Sequence, residues 1–420
     1  MKTFKLHRAW YMLFGCCLIQ GGSLGIIHNC RGIFFAPIIA DLGFGMGAFT
    51  FFVLMFGVFS CLILPFMGKL FSRYNVRLLL SIASIVFAGS VIAMGFLNTL
   101  PAFYIAGAIQ GLSGAFLLFY PAPLILGHWF KKKTGLAVGL SSAFSGLAGI
   151  VGNPVGNAVI EAFGWRVGYF FLGAVSLIML LPVSAFLLRL RPEDEGLTAY
   201  GAEDRPEKEG PACPLSGVPA PAAKKTVAFW LLILGALFSA NICAYHNQLS
   251  PIGTYAGYGA AVGAWMMSAS MGGNITSKIV LGSLYDRLGL GKPLAVGTGA
   301  CVIGFLMLLV NNPAVRLVGS FFYGTTMAMS AVMMAVSVKD VYGTRGYNEL
   351  LPFASMSATL GTSATTVVIG YVVDGLGTTL GYTVSLWGGV GMACIMALLL
   401  AVSIRGGRKL AAAYASAEIS

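Results

Sequence analysis

Twelve apolar stretches, each close to the length a helix needs to cross a bilayer, leave this chain few ways to fold. They run at 9–38, 47–68, 77–98, 101–127, 135–162, 168–190, 227–250, 260–284, 292–311, 314–338, 351–373 and 379–404. Hydrophobic residues make up 57% of the 420 and charged ones only 10%, against about 25% in a soluble domain. A membrane β-barrel would alternate polar and apolar residues, and runs such as VIGFLMLLV and GMACIMALLLAVSI do not alternate. The expected fold class is an all-α membrane protein of twelve transmembrane helices. The first apolar run continues to about Ile39, too far for a secretory signal, and reads as the first span.

The net charge of +12 does not mark a nucleic-acid binder, because the basic residues are spread over short loops. Lys2, Lys5 and Arg8, then Lys69, Arg73 and Arg77, then Lys131, Lys132 and Lys133 fall on one side of the expected membrane. Arg287, Lys292, Lys339, Arg345, Arg405, Arg408 and Lys409 continue the pattern, while the opposite loops hold little more than Arg166 and Arg316. By the positive-inside rule both termini face the cytoplasm, which requires an even number of spans. The short tails favour a cell inner membrane. All eight cysteines except Cys213 lie in apolar runs without metal-ligand spacing, so neither a metal nor another cofactor is expected.

Residues 191–226 are charged, then rich in proline and alanine, and lack an apolar period. They read as a solvated linker between an N-terminal half, 1–190, and a C-terminal half, 227–420. The halves repeat: GKLFSRYNVR begins at Gly68 and GSLYDRLGLGK at Gly282, an offset of 214 residues. A six-plus-six repeat is the signature of a transporter whose substrate sits between its halves.

The second of these loops carries Gly282, Leu284, Asp286, Arg287 and Gly289, and with them the chain resembles the major facilitator superfamily. The first copy has Ser72 where the acid usually stands. Within that superfamily the likeness is to the oxalate–formate antiporter and monocarboxylate transporter group. It rests on HWFKKKTGLAVGLSSAFSGLAGIVGNPV (128–155), NITSKIVLGSLYDRLG (274–289) and VYGTRGYNELLPFASMSATLGTSATTVVIGYVVDGLG (341–377). The resemblance implies a substrate-binding basic residue in helix 8, usually arginine and here Lys278. It also implies a substrate-contacting tyrosine in helix 4, here Tyr120. The group's oxalate carriers use a helix-11 lysine, and segment 351–373 has no basic residue, which argues against oxalate.

The polar residues inside the spans point the same way. Every acidic residue falls at a span end, in a loop or in a tail, so nothing negative awaits a cationic substrate. Lys278 lies eight residues before Asp286, roughly 12 Å in from the membrane edge at about 1.5 Å per residue. Asn274 is one turn away on its face. His28 and Arg31 share a face of segment 1, and His246 in segment 7 stands one position from the repeat equivalent of Arg31. His246 could carry a coupling proton. Tyr323 is the helix-10 counterpart of Tyr120, a buried hydroxyl in need of a partner. Each has a structural alternative: Lys278 and Arg31 could snorkel to headgroups, and the tyrosines and histidines could simply pack.

These observations lead to a secondary transporter of a small organic anion, a monocarboxylate, by alternating access with proton symport or anion exchange. Lys278, Asn274, Tyr120, His246, Arg31, His28 and Tyr323 are the expected substrate-binding residues, and Gly282, Asp286, Arg287 and Gly289 the gating-loop motif. The rival is a carrier of drugs or neutral metabolites in which Lys278 is structural. No nucleophile–base pair sits within the spans, which argues against an enzyme. The expected partners are the substrate and the lipid bilayer, with no nucleic acid and a monomeric chain.

Overall fold

The computed structural model describes residues 7–118, 120–202, 218–343 and 347–419. Of the basic residues used for orientation, Lys2, Lys5 and Arg345 lie outside this set, as do Cys213 and the middle of the 191–226 stretch. The described chain is helical throughout, apart from an isolated bridge between Phe130 and Tyr200.

Eight helices are long and apolar enough to cross a membrane. They are α1 (Arg8–Leu42), α2 (Met46–Arg73), α3 (Val76–Met94), α5 (Thr134–Phe163), α6 (Trp165–Leu187), α7 (Val227–Tyr258), α9 (Gly291–Leu309) and α12 (Thr378–Arg408). A bent pair, α10 (Pro313–Met333, continued by Val336–Tyr342), makes up to nine. The other three expected segments are also helical, and each departs from a plain apolar rod. The helix α4 (Leu100–Gly114) breaks and resumes as Pro121–Trp129. In α8 (Ala260–Leu288) the hydropathy is lowered by glycine, serine, Asn274 and Lys278. The last, α11 (Tyr347–Leu376), is 30 residues long.

The helices form two compact units, Met1–Phe44 with Ala48–Lys208, and Gly45–Gly47 with Glu209–Ser420. Inside the first, α1 packs on α5 and α6, and α3 on α6. Inside the second, α7 packs on α11 and α12, and α9 on α12. The pairings correspond helix for helix, as an internal repeat requires. Around residues 191–226 the described ends are ordered. Tyr200 N–H donates to Trp129 O at 2.9 Å, and Val218 N–H to Tyr342 O at 3.0 Å. Glu195 pairs with Arg8 at 3.0 Å and with Arg189 at 3.3 Å.

Glycine sets the closest helix contacts. Phe321 O lies 1.8 Å from where a Cβ on Gly273 would stand, so only glycine lets α8 meet α10 there. In α4, a Cβ on Gly107 or Gly111 would fall 2.4 or 2.3 Å from the carbonyl oxygens of Phe52 and Phe56 on α2. Two glycines four apart thus lay α4 directly on the α2 backbone.

The helices that open each unit are both broken, and proline explains why. Arg31–Phe34 is a tight 3-10 turn ahead of Pro37, and Ala244–Gln248 is another ahead of Pro251. A proline has no N–H for the carbonyl four residues earlier and its ring crowds that carbonyl, so the preceding turn rewinds. The two prolines are 214 residues apart, the same offset as the repeated loops.

Gly273→Val is expected to destabilise the detergent-solubilised protein by about 1–3 kcal/mol or to prevent folding, because overpacking against a backbone oxygen cannot relax. Gly299→Ala, whose Cβ would meet nothing within 4 Å, is expected to leave the melting temperature unchanged. Thermal melting followed by fluorescence-detected size exclusion checks both.

Candidate functional site

The second unit holds a polar ladder along α8. Ser270, Asn274 and Lys278 recur at four-residue spacing and so share one face. Ser270 and Asn274 are buried and Lys278 is half-buried. Helical side chains lean toward the N-terminus, so the Lys278 chain reaches back over Asn274. The facing residues come from the break in α7. His246 Nδ1 lies 3.2 Å from Ser270 Oγ at one end of the ladder. At the other end stands Cys243, whose thiol donates to Thr326 O on α10 at 3.5 Å.

Tyr323 braces this corner. It is fully buried, and its hydroxyl donates to Ile242 O at 2.9 Å and Cys243 O at 3.1 Å. The hydroxyl thereby ties α10 to the α7 backbone just before the 3-10 turn. Among the described residues Lys278 makes no ion pair, and the Asn274 Oδ1 has no hydrogen-bond partner. Lys278 and Asn274 thus stand one turn apart on one face of a span, with no carboxylate paired to the lysine among the described residues.

The first unit holds its own cation. Arg31 is only 4% exposed, and the break in α1 turns it inward. Its Nη2 donates to Gln110 Oε1 at 2.7 Å, and its guanidinium lies 4.6 Å from the Phe56 ring centre and 5.5 Å from that of Phe52. The tight α2–α4 contact at Gly107 and Gly111 brings Gln110 and both rings within reach. His28 flanks the same Phe56 ring at 5.7 Å. Arg31 Nη1 and the Tyr169 hydroxyl have no hydrogen-bond partner, and both residues line a cavity of about 20 Å3. That is room for roughly one water.

Tyr120 lies at the break between the two parts of α4. Its ring centre is 5.2 Å from that of Phe71, and its hydroxyl is 3.5 Å from the Cβ position of Gly68, at the end of α2. Gly289 ends α8 with φ +71, a left-handed value suited to glycine. Asp286 and Arg287 are exposed beside it.

The second unit therefore brings Lys278, Asn274 and Tyr323 together, with His246 two turns along the ladder. The first brings Arg31 and His28 together, and Tyr120 sits by Phe71. Sequence reasoning missed Gln110, Tyr169, Cys243 and Ser270. Ser270 was available from its four-residue spacing to Asn274. The paired prolines could have located the two breaks.

A family model described as Major Facilitator Superfamily matches residues 18–348. The chain belongs to the major facilitator superfamily. Over 191 residues it is 27% identical to monocarboxylate transporter 3 of Gallus gallus, a match covering 45% of this chain and 34% of that protein. Monocarboxylate transporter 4 of Mus musculus is 27% identical over 202 residues, covering 47% of this chain and 42% of that protein. The match thus spans less than half the length of either relative. The crystal structure of the nucleoside transporter NupG superposes with a TM-score of 0.72 at 12% identity, covering 95% of this chain and 99% of that one. At that identity the likeness is one of fold. This major facilitator chain is a multi-pass membrane protein similar to monocarboxylate transporters.

Gln110→Leu is expected to lower stability by about 1–3 kcal/mol, because it strands a buried guanidinium donor. Gln110→Glu, which keeps an acceptor at the same place, is expected to preserve the melting temperature. Thermal unfolding of the purified variants checks the pair.

Proposed function

We propose that this protein is a secondary active transporter of a small organic anion, a monocarboxylate, working by alternating access with proton symport or anion exchange. The observation that carries the reading is Lys278, held inside a span with no carboxylate partner among the described residues. A lysine at the centre of a spanning helix costs about 2.5–3.5 kcal/mol to insert. A carboxylate ligand would offset part of that cost by supplying the missing countercharge. The similarity to monocarboxylate transporters supports the same substrate class.

In this reading Lys278 is the anion anchor and the Asn274 amide donates beside it. Tyr323 acts as a positioning residue, since its hydroxyl is committed to the α7 carbonyls. His246 is placed to take part in proton coupling through Ser270. Arg31, with His28 nearby, and Tyr120 are the first unit's contributions. Asp286, Arg287, Gly282 and Gly289 form the gating loop. The termini face the cytoplasm, as the lysine and arginine distribution argues, and the host membrane is a cell inner membrane.

The second reading is a carrier of drugs or neutral metabolites in which Lys278, half-buried in its span, is structural. Counterflow of labelled carboxylates into proteoliposomes, at acidic and neutral pH, separates the two. Lys278→Arg is expected to retain part of the transport and Lys278→Gln to lose it. Normal carboxylate flux by the glutamine variant would sink the anchor role. Flux of a neutral metabolite unaffected by the substitution would establish the second reading instead.

A further inference from the structure

At the basic end of the first unit, a groove of about 460 Å3 opens between the start of α3 and the chain leaving α6. Its volume falls within the range of small-molecule sites, roughly 300–1,000 Å3. Arg77, Arg189 and Arg191 line it, against a single carboxylate, Asp194, with Asn75 and Tyr74 completing the polar wall. None of these residues belongs to the polar clusters described above.

Two of the arginines are built into the wall. Arg77 donates from Nε to Leu188 O at 3.1 Å and from Nη2 to Phe186 O at 3.2 Å, where α6 unwinds. Arg189 pairs with Glu195, which Arg8 also engages. Arg191 is exposed and makes no ion pair among the described residues. The groove keeps a positive surplus, and the N-terminal end of the 19-residue α3 adds its dipole to the same side.

What lies next to the groove identifies the ligand. From Arg77 along α3, Leu78, Ile82 and Ile85 stand exposed at 59, 52 and 51% on one face of a membrane-spanning helix. Phe186 on α6 is 78% exposed beside them. A phosphate bound by the arginines would have acyl-chain surface immediately adjoining it, an arrangement suited to a phospholipid and wasted on a free anion. We propose that this groove binds the headgroup of an anionic phospholipid, with Arg191 and Arg189 meeting the phosphodiester and the α3 face carrying a chain.

Native mass spectrometry of the full chain in detergent tests this. Phosphatidylglycerol, phosphatidylethanolamine and phosphatidylcholine of identical acyl composition are titrated in turn. Phosphatidylglycerol is expected to bind roughly fivefold or more tightly than the other two. Arg191→Gln is expected to weaken it roughly fivefold and Arg191→Glu roughly 25-fold, at about one such factor per unit charge. Lys292→Gln removes an exposed charge from the other unit and is expected to change nothing. The melting temperature of the Arg191 variants should match wild type, because that side chain is outside the core. Equal binding of the three lipids, or undiminished phosphatidylglycerol binding by Arg191→Glu, would overturn the proposal. So would complete displacement of the lipid by inorganic phosphate, which would mark a site for the free anion.

Discussion

Inside a bilayer no water waits to satisfy a backbone group that loses its helical partner, and that constraint governs this structure. Both units open with a helix that a proline interrupts, at Pro37 and Pro251, and each interruption disturbs the backbone hydrogen-bond ladder. Side chains from neighbouring helices also bond directly to backbone carbonyls of these opening helices. The Tyr323 hydroxyl serves Ile242 O and Cys243 O, and Ser176 Oγ serves Gly22 O at 2.9 Å. At the break in α4 the Gln20 amide serves Leu118 O at 2.8 Å. The polar residues of the spans are thus of two kinds: those that bond to the backbone, and those left over.

Sorting them this way separates the two intramembrane cations. Arg31 is clamped by Gln110 and rests over the faces of Phe52 and Phe56, which suit a flat, weakly hydrated guanidinium. Its surroundings are nearly filled, with space for about one water at its open nitrogen. Lys278 is a compact charge on a flexible stem, half-buried, and makes no ion pair among the described residues. The charge that lacks compensation has the larger gain to make from an incoming anion. That is why the proposed mechanism assigns the anchor to Lys278 and leaves Arg31 as a fixed source of positive potential.

Much of this was legible in the sequence, because hydropathy and charge placement are properties of single segments. The spans, the placing of acids at span ends and the Asn274–Lys278 spacing follow from local pattern, whereas the inward position of Arg31 was one of two open alternatives that the break in α1 decides. The pairing of Arg31 with Gln110 is not local either. It depends on how α4 is rotated against α2, and the glycines that fix that rotation give no sign in sequence of which carbonyl they will meet. Tyr120 shows the same limit. Its position in helix 4 was plain, but the break just before it turns the ring toward Phe71. The order found at both described ends of 191–226 was likewise hidden, since single pairs such as Arg8–Glu195 carry no periodic signal.

The repeat itself separates scaffold from chemistry. The prolines and the breaks before them recur at a spacing of 214 residues, while the charges do not. At that offset Lys278 corresponds to Leu64, and Arg31 to Tyr245, whose hydroxyl is spent on Ser385 O. Repeating either cation would add a second charge to the same unit and a second desolvation cost of similar size. The two polar clusters each hold one cation, Arg31 on α1 in the first unit and Lys278 on α8 in the second. A duplicated backbone can keep its breaks cheaply, because a 3-10 turn retains its own backbone hydrogen bonds. Buried charges admit no such repair from apolar neighbours, and in the proposed reading the partner of Lys278 is the transported anion.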